Sequence, residues 1–96
     1  MSLVDDTIRE LRSKEASLRC SELKTLLESL GFSVEDGSSG NHKTIDHDGI
    51  PDFVGGHYDC GHGKNPQIKP CYVREMRKLI EKYKDYLMIH LGEKDV

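Results

Sequence analysis

Apolar residues recur along this chain with two periods, and the change of period marks the elements. Val4, Ile8 and Leu11 are spaced by four and three, which predicts a helix from about Leu3 to Lys14. Leu23, Leu26, Leu27 and Leu30 repeat as i, i+3, i+4 and i+7, with Ser21 placed to cap that helix and Gly31 to stop it. The period then falls to two. FSVED and HKTIDH alternate on either side of the turn residues GSSGN, predicting a hairpin over residues 32–47 with a five-residue loop. Between Asp48 and Lys69, glycines and prolines interrupt every run, leaving a third strand around His57 to His62. Pro70 suits a first helical turn, and Val73, Met76, Ile80, Tyr83 and Leu87 stripe a single helix running to about His90.

The order helix, helix, strand, strand, strand, helix predicts an α+β fold. A three-stranded antiparallel sheet must bury one face, and the striped helices are its natural cover, giving a two-layer α-β-β-β-α domain with an extra N-terminal helix. The Val4, Ile8 and Leu11 stripe is expected to pack on this domain or to meet a second chain. The parity of the second strand follows. Ile45 must face the helices with Lys43 and His47 on its side, so His42, Thr44 and Asp46 face outward on the uncovered side.

Composition narrows the classes. A chain of 96 residues with 35% hydrophobic and 32% charged residues suits one ordinary globular domain, and no apolar run approaches membrane length, so no membrane partner is expected. LVDDTIRELRS mixes charges where a signal peptide has an apolar core. Three cysteines, an odd number, do not make a disulfide framework and are expected to be free thiols in a reducing cytoplasm. The net charge of -3 is unevenly spread: residues 40–84 carry 8 basic and 6 acidic side chains and four of the five histidines, between acidic flanks. A phosphate-bearing partner would bind there.

Within that segment His42 stands at the head of an outward-facing strand, directly after a turn. An imidazole titrates near neutrality and can serve as acid or base, and Asp46, two residues along the same face, could orient it. The bland alternative is a solvated surface histidine. Lys64 and Lys69 flank NPQI just before the last helix, whose free N–H groups and dipole could hold a phosphate with them. Arg74, Lys78 and Lys82 continue a basic stripe that more simply solvates the helix. Tyr58 could stack on a base or pack. His57, Cys60, His62 and Cys71 offer zinc-type ligands within fifteen residues, without a C-x2-C pair, so a zinc-stabilised interaction domain is a rival class. His62 could otherwise support His42 or the phosphate site, or make a structural hydrogen bond.

The stretch SLRCSELKTLLESLGF ending at Phe32, then GNHKTIDH, then HGKNPQIKP leading into a helix, resembles the HicA-type toxins of bacterial toxin–antitoxin systems. The resemblance spans about residues 18–84 and divides the chain into a helical extension (1–17), a HicA-like α+β domain (18–91) and a tail (92–96). It implies a fold similar to double-stranded-RNA-binding domains and endoribonuclease activity on mRNA, with the histidine after the first hairpin turn, His42, as catalytic residue. Lys43, Lys64 and Lys69 would then contact RNA, with Asp46 and His62 in support. It also implies a HicB-type antitoxin that covers the active face. Cleavage through the RNA's own 2′-hydroxyl requires no metal and no cofactor. The alternative is a non-catalytic RNA-binding or protein-interaction module in which His42 is incidental.

Overall fold

A computed structural model describes residues 2–37 and 41–93, so Ser38, Ser39 and Gly40 of the expected hairpin loop and residues 94–96 of the tail lie outside the described residues. Helix α1 spans Leu3–Ser13 and α2 spans Cys20–Ser29; strands β1 (Ser33–Asp36), β2 (His42–Asp46) and β3 (Gly56–Asp59) follow, then α3 (Pro70–Lys82) and α4 (Lys84–His90). The strands form an antiparallel sheet in the order β1-β2-β3. The architecture is the expected α+β one.

Sheet parity also agrees. Val34, Ile45 and Tyr58 are buried on the helix side, where Lys43 lies between Asp36 and Tyr58 in the register. His42 pairs with Asp59 and Thr44 with His57, which puts these four on the uncovered side. The core gathers Leu18, Leu23, Leu27 and Leu30 from the α2 region with Val73, Met76, Ile80 and Leu87 from α3 and α4. Val4 and Leu11 of α1 are fully buried in the same cluster, so the N-terminal stripe packs on its own domain. Three ion pairs, Lys84 to Asp5, Arg12 to Glu81 and Arg74 to Glu15, tie α1 and the turn after it to α3 and α4.

Four local expectations change. The stripe from Val73 to Leu87 is divided at Tyr83 (φ -103°, ψ 18°), although neither glycine nor proline stands there. Tertiary packing accounts for the break: the Tyr83 ring meets Phe53 edge-on at 5.4 Å. The third strand ends at Asp59, because Cys60 is bonded to Cys20 and the following residues turn away toward α2. Ser21 lies inside α2 instead of capping it. The Ser21 amide donates to Oδ1 of Asn65, while the Arg19 amide donates to Glu22.

The fourth change concerns the thiols. Cys20 and Cys60 form a disulfide, and Cys71 alone is free, exposed at the start of α3. An odd count excludes complete pairing but permits one bridge, and the fold brings these two Cα atoms within 5.4 Å, inside the range a disulfide spans. Backbone bonds reinforce the junction: the Cys20 amide donates to Pro66 O at 2.9 Å and the Ile68 amide to Leu18 O at 2.9 Å. The segment from Gly61 to Lys69 is thereby fastened to the head of α2.

Candidate active site

The uncovered side of the sheet positions His42 through strand register. Facing Asp59 across β2 and β3, the ring brings Nδ1 to 2.7 Å from Asp59 Oδ1, and the Tyr72 hydroxyl at the start of α3 donates to Asp59 Oδ2 at 3.1 Å. The result is a chain of three side chains, Tyr72, Asp59 and His42. With Nδ1–H donating to the carboxylate, Nε2 carries the lone pair, and among the described residues nothing hydrogen-bonds it. The His42 side chain is 32% exposed.

Electrostatics keep the chain in working order. The hydrogen bond from His42 first, that from Tyr72 second, and then the charges of His42 and His57 hold the Asp59 carboxyl below its ordinary 3.8. Asp59 is therefore an anion at neutral pH. The same hydrogen bond raises the Tyr72 phenol, which stays a donor. Gly37 completes the seat, since a Cβ there would lie 2.6 Å from Cδ2 of His42, closer than atoms pack, so only glycine leaves room for the ring as it is held.

A cleft of about 430 Å³ opens beside Asp59, lined by Asn41, Asp59, Cys60, Gly61, His62, Gln67, Lys69 and Tyr72. Its lining includes Cys60 of the disulfide and the residue before α3. Lys69 is that residue, followed by Pro70 in the first turn as expected. His62 is exposed there, with Nδ1 3.0 Å from the Asn41 side-chain nitrogen. Lys64 is exposed on the same fastened segment.

The other candidates lie apart. Asp46 shares the uncovered side with His42, but its Oδ1 accepts the His47 amide at 2.8 Å, and Asp59 supplies the carboxylate that His42 meets. Lys43 is on the helix side, only 17% exposed, and its ammonium pairs with the Asp36 carboxylate. Tyr58 packs in the core with no exposed surface, and burial, followed by the charge of Glu28, pushes its phenol up to about 12; it is not available to stack on a base. Arg74 pairs with Glu15, and the Lys82 ammonium lies 5.2 Å from the centre of the Tyr83 ring. The zinc-type set does not assemble, because the Cys60 sulfur is bonded to Cys20, and among the described residues no three His, Cys, Asp or Glu side chains are gathered to hold a metal.

The strand parity predicted for His42 agrees with the register, whereas Asp59 and Tyr72 were not singled out in the sequence. The signal for Asp59 was present in the alternation of GHYD, where it shares parity with His57. Its partnership with His42 depends on register, which the loop between β2 and β3 sets. Tyr72 carried no signal at all. No protein-family model, curated protein or solved structure matches the chain.

Proposed function

We propose that this chain is a HicA-type toxin, a metal-independent endoribonuclease in which His42 takes the proton from a ribose 2′-hydroxyl. One observation carries the reading: His42, on the uncovered side of the sheet, is anchored through Nδ1 by a carboxylate that is itself anchored by Tyr72. This is the arrangement a general base needs, because the carboxylate fixes the tautomer and stabilises the imidazolium that forms.

Deprotonated by Nε2, the 2′-oxygen attacks the adjacent phosphorus, the bond to the 5′-oxygen breaks, and a 2′,3′-cyclic phosphate forms. Negative charge gathers on the phosphoryl oxygens. Lys69, beside the first turn of α3, is the cation placed on the cleft nearest Asp59 and Tyr72, and Lys64 extends positive charge along the same segment. An mRNA substrate would locate the activity in the cytoplasm, and a HicB-type antitoxin would silence it by covering the uncovered side of the sheet. Cytoplasmic thiols would act on the Cys20 to Cys60 bridge, but the backbone bonds at Pro66 and Leu18 hold the same junction.

A second reading, a protein-interaction module, draws on the other end of the sheet. Ser33, Glu35, Thr44, Asp46 and the 94% exposed Val54 border a separate hollow of about 380 Å³, acidic and partly apolar, which suits a protein better than RNA. The two readings separate when purified protein is incubated with single-stranded RNA in EDTA. The ribonuclease yields fragments ending in 2′,3′-cyclic phosphate and beginning with 5′-hydroxyl. Intact RNA, or 5′-phosphate fragments that vanish in EDTA, would reject it.

A further inference from the structure

We infer that His57 is the second proton-transfer residue of this site, donating to the 5′-oxygen as it leaves; the inference rests on the ribonuclease reading above. Cleavage by an internal 2′-oxygen moves two protons, one off the nucleophile and one onto the leaving oxygen, and the two groups occupy opposite sides of the phosphorus. One imidazole anchored at the end of β2 serves one side. The other needs its own donor.

His57 is the group in place. It stands on β3 as the register partner of Thr44, exposed on the side that carries His42, and its ring centre lies 5.1 Å from that of His42, tilted by 38°. A proton-transfer group works at about 3 Å from the atom it serves, so two rings at this spacing can both reach the oxygens of one phosphodiester. Asp59 touches the pair through His42, whose Nδ1 lies 2.7 Å from its Oδ1. His62, the other histidine nearby, has its Nδ1 3.0 Å from the Asn41 side-chain nitrogen.

The proton balance closes. The step requires a neutral His42 and a protonated His57 at the start. The 2′-hydroxyl proton passes to Nε2 of His42, the 2′-oxygen bonds to phosphorus, the bond from phosphorus to the 5′-oxygen breaks, and the proton of His57 goes to that oxygen. His42 ends protonated and His57 neutral, and exchange with water resets the pair.

The test uses two substrates that differ only in whether the leaving group needs a proton: a dinucleotide, uridylyl-(3′,5′)-adenosine, and uridine 3′-(4-nitrophenyl phosphate). His57→Ala is exposed and should fold, which circular dichroism checks. Its kcat on the dinucleotide is expected to fall by about a hundredfold, with a deficit at least about tenfold smaller on the nitrophenyl ester, whose anion departs unaided. His42→Ala should be impaired to a similar degree on both. A His57→Ala variant that cuts the dinucleotide at the wild-type rate, or loses equally on both substrates, overturns the assignment of His57 alone. Failure of the wild type to cleave either substrate, or wild-type rates in His42→Ala, overturns the ribonuclease reading and this inference with it.

Discussion

His42 and His47 stand at the two ends of one short run of chain, on opposite sides of the sheet, and their surroundings have almost nothing in common. His47 is 4% exposed. The Gly49 amide donates to its Nδ1 at 3.0 Å, which puts the ring proton on Nε2, and Nε2–H donates to Leu30 O at 2.9 Å at the end of α2. Phe32 and His90 meet the ring edge-on, each at 4.7 Å. Every polar atom of that imidazole is used in holding the fold. At His42 one nitrogen is fixed to Asp59, and the ring stands partly exposed on the side no helix covers. An odd number of steps along a strand puts one histidine in the core and the other on the uncovered side.

The contrast breaks most visibly in stability. His47→Ala leaves the Leu30 carbonyl and the Gly49 amide without a partner and opens space beside Phe32, so it should cost about 3–4 kcal/mol in urea unfolding. Severing the covalent tie at the His42 end comes next. Cys20→Ser opens a bridge between positions 40 apart and should cost about 2–3 kcal/mol, with cleavage by the folded fraction retained because backbone bonds hold the same junction.

Asp59→Asn sharpens the contrast from the chemical side. Replacing the anion weakens the anchor and the support for an imidazolium, and cleavage should fall by about ten- to a hundredfold while the fold survives. The pH dependence follows in sign. Because the folded Asp59 carboxyl is depressed below 3.8, the stability it supplies is fully present above that value and is lost as pH falls through the lower folded one. Urea unfolding of wild type and Asp59→Asn should therefore converge only below about pH 4. The smallest effect belongs to the cations. Lys64→Glu with Lys69→Glu should weaken RNA binding about equally for different sequences and flatten the salt dependence of log K by about 1–2 units. A changed sequence preference with an unaltered slope would remove these lysines from the phosphate path.

What was legible in the sequence follows from what is local. The leucine stripe of α2, the hairpin strands and the facing of Ile45 against His42 rest on periodicity alone, and all three hold. Features set by distant packing were not legible. The break at Tyr83 depends on Phe53 in a loop, the cap of α2 on Asn65, and the disulfide on Gly61 to Lys69 folding back against α2. The candidate site divides the same way. His42 could be placed by parity within its own strand, whereas Asp59 and Tyr72 reach it from β3 and α3, and the nearer acid in sequence, Asp46, turns to the backbone of His47.

The most direct test sets the two histidines against each other in one assay. RNA cleavage is measured for His42→Ala and His47→Ala at equal concentrations of folded protein, fixed by urea unfolding of each variant under the assay conditions. His42→Ala should remain folded under the assay conditions and lose cleavage by at least about a hundredfold. His47→Ala should be the less stable protein and cleave at close to the wild-type rate per folded molecule. Undiminished cleavage by folded His42→Ala would contradict the assignment of proton transfer to His42.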